Sequence, residues 1–157
     1  MRIDEKTIGK EHSQYANHLN NLANVYKLQG RYDEAIEKYE EALRIGEKTI
    51  GKEHPDYAKC LNNLAVIYRS QGRYNEALKK YKEALQIDEK TIGKEHPQYA
   101  THLNNLAGVY YSQGRYDEAL LFVQDALLIF EKTLPENHLN IQNVRESLEI
   151  CRKAMGK

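Results

Sequence analysis

One interval, 42 residues, constrains this chain more than any other feature. Glu-Lys-Thr-Ile-Gly-Lys-Glu-His begins at Glu5, Glu47 and Glu89; Leu-Asn-Asn-Leu-Ala begins at Leu19, Leu61 and Leu103; Gln-Gly-Arg-Tyr begins at Gln29, Gln71 and Gln113. A period between about 20 and 50 residues signals stacked supersecondary units, because one unit is too small to bury its own apolar face.

Each unit reads as two helices. In the first, Tyr15, Leu19, Leu22 and Tyr26 fall at i, i+4, i+7 and i+11, a single stripe of 3.6-residue period, with small Ala23 beside it to let a neighbouring helix approach. Gly30 ends that helix, since glycine takes the left-handed C′ conformation at no steric cost. The second helix opens on Asp33 and Glu34, whose charges suit the positive end of the helix dipole. Its stripe is Tyr32, Ala35, Ile36, Tyr39, Ala42 and Leu43, continuing to Ile50; Lys48 lies in the last turn and Gly51 supplies the stop. Pro55 then sits at the first position of the next helix, where proline is tolerated. Gly72, Gly93, Pro97 and Gly114 repeat this punctuation, and no segment alternates with the period of a strand. The expected fold class is all-α, a solenoid of stacked helix pairs.

The expected organisation is one domain over 1–157, with repeats at 11–52, 53–94 and 95–136. Residues 1–10 match the tail of a second helix, so the chain begins mid-repeat: it is either cut from a longer array or opened by a short capping helix. Residues 137–157 form a C-terminal capping helix, expected from Asn137 to Met155, with Ile141, Val144, Leu148, Cys151 and Met155 on its inner stripe. Arg145, Glu149 and Arg152 stand where the previous repeat has Leu103, Ala107 and Tyr110, giving the polar outer face that the end of a stack requires.

Composition narrows the function. A hydrophobic fraction of 41% is enough to fold, and 23 basic residues balance 23 acidic ones, without the basic excess of a nucleic-acid binder. No apolar run reaches the roughly 20 residues of a membrane span, and no apolar leader opens the chain. Cys60 and Cys151 form no C-x-x-C pair, so a reducing, cytoplasmic setting without a disulfide framework is expected.

With these residues in view, the chain resembles the tetratricopeptide repeat family. The carriers are Leu-x-x-Leu-Ala-x-x-Tyr, Gln-Gly-x-Tyr-x-Glu-Ala and Tyr-x-x-Ala-Leu, three times in register over about residues 3–129, with a degenerate fourth copy behind. The 42-residue length and the linker Glu-Lys-Thr-Ile-Gly-Lys-Glu-His-Pro resemble the kinesin-light-chain subtype. The resemblance implies antiparallel helix pairs stacked into a right-handed superhelix, an α-solenoid whose first helices line a concave groove that holds extended peptides or partner helices, a protein-binding scaffold and not an enzyme.

The first-helix face opposite the core stripe should line that groove. In repeat one it carries Asn17, Asn20, Asn21, Asn24 and Lys27; in repeat two Lys59, Asn62, Asn63, Val66 and Arg69; in repeat three Thr101, Asn104, Asn105, Gly108 and Tyr111. Asparagine costs about 0.5–0.7 kcal/mol against alanine in a helix interior, so asparagine pairs in mid-helix call for a tertiary hydrogen bond or a ligand. An amide donates and accepts at once, which suits a peptide backbone. The resemblance marks the second of each pair, Asn21, Asn63 and Asn105, as the residue that holds cargo backbone; the competing reading is that these amides tie neighbouring helices together. Tyr111 is placed to stack on a ligand. Lys27, Lys59 and Arg69 match cationic positions of the light chains, whereas another such position holds Gly46 and Asp88, which counts against their tryptophan-acidic cargo. The two-carboxylate clamp of chaperone-binding members wants lysine where Asn20, Asn62 and Asn104 stand.

Catalytic and metal motifs are not readable. His12, His54 and His96 recur in the linkers and read as turn residues. His18, Cys60 and His102 occupy one register position, but packed helices lie about 8–10 Å apart and zinc ligands sit about 2.0–2.3 Å from the metal, so the row is too open for one ion. No cofactor is expected. The second function considered is a structural module that self-associates end to end, for which unburied apolar side chains on the N-terminal face would be the mark; the chain is expected as a monomer or a weak self-associating species.

Overall fold

The computed structural model describes the backbone of residues 5–156 and the side chains of residues 14–156. Among the described residues there are seven helices and no strand: α1 (Glu5–Leu28), α2 (Tyr32–Thr49), α3 (Pro55–Ser70), α4 (Tyr74–Thr91), α5 (Pro97–Ser112), α6 (Tyr116–Thr133) and α7 (Leu139–Ala154). The tightest packing is within the pairs α1–α2, α3–α4 and α5–α6, followed by α6–α7 and then by the junctions α4–α5 and α2–α3. Neighbours in sequence are thus neighbours in space, the signature of a solenoid.

The recurring strings have local jobs. Gly30, Gly72 and Gly114 have φ of 76–77°, and each closes a Schellman turn: the Gly30 N–H donates to the Lys27 carbonyl at 3.0 Å and the Arg31 N–H to the Tyr26 carbonyl at 2.9 Å. The arginine that follows then folds back, its guanidinium 4.4 Å above the ring of Tyr26, Tyr68 or Tyr110. It donates to Glu34, Glu76 or Glu118 in the next helix and to the glutamine two residues before it. The linker histidines are N-caps: His54 and His96 accept through Nδ1 from the N–H of Asp56 and Gln98, each at 3.0 Å, with Pro55 and Pro97 opening the helix behind them. His138 does the same for Asn140, so α7 starts at Leu139 and not at Asn137.

Small residues set the helix spacing. Ala23, Ala65 and Ala107 on the first helices and Ala35, Ala77 and Ala119 on the second are essentially inaccessible, and Tyr39, Tyr81 and Val123 fill the space between them. At the far end Ile141, Val144 and Cys151 of α7 are buried, Leu148 and Met155 half-buried, while Arg145, Glu149 and Arg152 face solvent. These three positions give α7 a polar stripe opposite its buried one.

Three expectations need correction. Tyr15 and Leu22 belong to the same stripe as Tyr57 and Leu64, yet they are 49% and 39% exposed where their counterparts are buried. The stripe is continuous, but α3 is covered by the second helix of the preceding pair, and among the described residues no such helix lies against α1. Ile50 does not extend the α2 stripe: the helix ends at Thr49 and Ile50 is exposed at the C-cap. Finally, the first linker does not turn. α1 runs unbroken from Glu5 to Leu28 through Gly9 and His12, because Ser13 stands where the other repeats have Pro55 and Pro97. Serine keeps its N–H and leaves the preceding residue free to be helical, whereas proline does neither. Residues 1–4 and the His12 side chain lie outside the described residues.

Candidate ligand groove

The inner wall is built by the first helices, α3 touching α5 directly, and the paired asparagines meet there. The Asn63 amide donates through Nδ2 to Oδ1 of Asn20 at 3.5 Å, and that of Asn105 to Oδ1 of Asn62 at 3.0 Å. Each second asparagine therefore leans back on the first asparagine of the preceding repeat, and the two contacts form a ladder along the wall. The ladder uses one N–H of each donor, leaving Oδ1 of Asn63 and Asn105 without a partner among the described residues. Asn62 is buried; Asn20, Asn63, Asn104 and Asn105 are half-buried; Asn17 and Asn21 are exposed. Asn24 is engaged elsewhere, accepting from the hydroxyl of buried Tyr39. Burial raises the pKa of that phenol above its ordinary value.

The ladder breaks at its last rung. Ser147 of α7 replaces the asparagine that would donate to Asn104, and its hydroxyl is turned to its own helix, donating to the Asn143 carbonyl at 3.1 Å. Oδ1 of Asn104 is consequently buried with no hydrogen-bond partner, a costly state for an acceptor. Asn104 borders a hollow of about 230 Å³ between α5 and α7, lined also by Arg69, Gly108, Tyr111 and Ile150.

Gly108 shapes this hollow. A Cβ at that position would lie 2.7 Å from Nη1 of Arg69, so the absence of a side chain is what lets the guanidinium lie across α5. Arg69 is exposed, donates weakly to the Ser112 hydroxyl at 3.4 Å, and makes no ion pair among the described residues. Tyr111 packs at the same end, its ring 5.2 Å from that of Tyr116 at a 56° tilt. Lys27 is half-buried and Lys59 exposed, 4.0 Å from Asp56; Thr101 is exposed and donates to the Pro97 carbonyl at 3.0 Å. Asn104, Asn105, Arg69 and Tyr111 thus come together, whereas Asn17, Asn21 and Asn24 lie near the other end.

A buried polar cluster behind the wall escaped the sequence reading. Asp88 of α4 is inaccessible, with Oδ2 at 2.5 Å from Nδ1 of buried His102. The Gln98 amide donates to its Oδ1 at 2.9 Å and to the Pro55 carbonyl at 3.2 Å, tying two linkers together. In the preceding junction Gly46 and Cys60 hold the same places, and the Cys60 thiol faces the Tyr39 carbonyl at 3.7 Å. The signal was a paired exchange: aspartate occurs with histidine, glycine with cysteine. His102 is thus occupied by a carboxylate, and no group of three metal-ligating side chains is assembled among the described residues.

A family model described as tetratricopeptide repeat matches residues 1–48, 14–90 and 61–132, most of the chain. The chain belongs to the tetratricopeptide repeat family. Tetratricopeptide repeats mediate protein–protein interaction and scaffolding. Among solved structures, the chain is similar to BtubC (BKLC) from P. vanneervenii, at 30% identity and a TM-score of 0.82 over 90% of this chain and 56% of that one. It is similar also to a putative kinesin light chain from Podosopora anserina with nearly identical repeats, at 28% identity and a TM-score of 0.82 over 92% of this chain and 68% of that one. The Sgt2 tetratricopeptide domain from Aspergillus fumigatus, at 18% identity and a TM-score of 0.67 over 90% of this chain and 80% of that one, shares the fold. The chain therefore spans little more than half the length of BtubC. No curated protein matches it. No described helix is long and apolar enough to cross a membrane.

Proposed function

We propose that this domain is a non-catalytic scaffold that holds an extended segment of a partner protein along the inner wall formed by α1, α3 and α5. The observation that carries this reading is the C-terminal end of the wall. There a buried acceptor without a donor, an exposed guanidinium without a carboxylate and a tyrosine ring border one hollow. A peptide supplies both missing partners, a backbone N–H for Oδ1 of Asn104 and an acidic side chain for Arg69, while Oδ1 of Asn63 and Asn105 remains open to further backbone N–H groups. Charge-assisted bonds of this kind contribute about 1.5–3 kcal/mol. A cytoplasmic setting fits two free, buried cysteines.

The test is selection of binders from a random peptide library of unbiased composition on the immobilised chain, followed by fluorescence-polarisation titration of the strongest. Arg69→Ala is expected to weaken binding about tenfold or more, and Gly108→Val to weaken it by displacing the guanidinium. The Asn63→Ala/Asn105→Ala double variant should also bind less while keeping its helix content. Equal affinity for all variants, or selection of peptides without acidic residues, removes the reading.

A further inference from the structure

The outer face of α6 differs from its two counterparts. Leu121 and Leu128 are 62% and 57% exposed and lie two turns apart on one stripe of the helix. The same places are held by Glu37 and Arg44 in α2 and by Lys79 and Gln86 in α4. All four of those side chains are exposed, although a further helix pair follows each of the two helices. These positions therefore face water in every repeat, wherever the repeat stands in the stack. A single exposed leucine is ordinary on a protein surface. Two on one stripe, where both other copies carry charged or amide groups, make an apolar patch that the stack itself does not use.

The residues around the two leucines are arranged symmetrically, with opposite charges at the ends. Asp117 lies one turn before Leu121 and Lys132 one turn after Leu128, while Gln124 and Asp125 fill the middle. The pairs 117 and 132, 121 and 128, and 124 and 125 are all centred on the same point of the helix. A second α6 laid antiparallel about that point sets Leu121 against Leu128, and Asp117 beside Lys132, at both ends. Within one chain Asp117 is exposed and makes no ion pair among the described residues; Lys132 has only an exposed one, 3.9 Å from Glu95.

We propose that two copies of the chain associate side by side through this stripe, α6 of one antiparallel to α6 of the other. The contact is isologous, the same patch on both partners, and closes at two copies. One helix face per copy places it among the small, transient interfaces, below about 1,200 Å² in total, so the association is weak. The twofold axis also brings the two Asp125 carboxylates together on one edge of the stripe and the two Gln124 amides together on the other. None of the stripe residues borders the hollow beside Asn104. The contact therefore leaves the inner wall open and does not depend on the groove reading, so failure of either leaves the other standing.

Sedimentation equilibrium of the intact chain from low micromolar to millimolar concentration is expected to show a monomer–dimer equilibrium. Leu121→Lys/Leu128→Gln, which installs the side chains that α4 carries at these places, should stay monomeric with an unchanged circular dichroism spectrum. Asp125→Asn, which relieves the like-charge contact on one edge, should tighten the dimer by up to about fivefold. Crosslinking with a short bis-maleimide fixes the register, since native Cys60 and Cys151 are buried. Asp117→Cys and Lys132→Cys should join when the two variants are mixed. Asp117→Cys alone should not, because its two copies then lie about 22 Å apart along the helices. Four results overturn the proposal: a wild-type chain that stays monomeric to the highest concentration, a dimer that survives Leu121→Lys/Leu128→Gln, an Asp125→Asn chain that associates no more tightly, or a crosslink of Asp117→Cys alone as strong as that of the mixture.

Discussion

Asn104 and Cys60 show how one side chain's surroundings set its behaviour. The Oδ1 of Asn104 is buried and unpartnered, a state that costs about 1–3 kcal/mol. Asn104→Ala is therefore expected to leave the urea midpoint unchanged or raise it, while lowering affinity for any peptide captured in the hollow. A clear loss of stability would show that the amide is satisfied in solution. The Cys60 thiol is pushed up to about 12 by burial, and the Tyr57 phenol likewise to about 12. Both groups are neutral when protonated and have folded pKa values above their unfolded ones. Their contribution to stability is therefore complete below about pH 9 and is lost as pH rises from there towards 12. Urea midpoints should fall across that alkaline window and stay flat between pH 6 and 8. Alkylation of Cys60 by iodoacetamide at neutral pH should be slow in the native chain and fast once urea unfolds it.

At the scale of the helix, every repeat uses the same start and stop, yet the junctions between pairs differ in chemistry. The α2–α3 junction relies on Gly46 and Cys60; the α4–α5 junction seals a carboxylate and an imidazole from water and adds a half-buried amide to them. Removing one partner of such a pair strands the other, at a cost of about 3–5 kcal/mol. His102→Ala and Asp88→Ala should each lower stability by that order. Asp88→Gly/His102→Cys, which imports the side chains of the earlier junction, should cost much less than the two single losses combined. A double-variant cycle in urea measures this, and additive losses would mean that the two residues act independently. The same logic explains α1. One proline decides whether the linker turns, so a serine at position 13 was enough to join two expected segments into one 24-residue helix.

Across the whole molecule, stability is shared between nearest neighbours, because each pair packs chiefly on the next. The ends should therefore open first. Native-state amide exchange is expected to be slowest in α3 and α4, whose pair has another pair on either side, and faster in α1 and α7. Uniform protection from end to end would indicate a single cooperative block. The inner wall is a collective property of the same arrangement: its asparagine ladder, Asn20 to Asn63 and Asn62 to Asn105, exists only between repeats.

The helix pairing within each repeat, the stop after each first helix, the polar face of α7 and membership of the repeat family were all legible in the order of residues. They rest on local rules: the period of the apolar positions, the conformation open to glycine, the register of copies 42 apart. Contacts between copies were not legible, since a repeated string is silent about what lies across from it. Leu22 and Leu64 have the same neighbours in sequence, and only the packing of α2 on α3 buries the second. Likewise the asparagine pairs announced an unmet need for partners, but their spacing on one helix could not say that Asn20 and Asn62 would be met by the next repeat while Asn104 would be left open. Burial and pairing are set by what comes to rest against a side chain, and that depends on the stack.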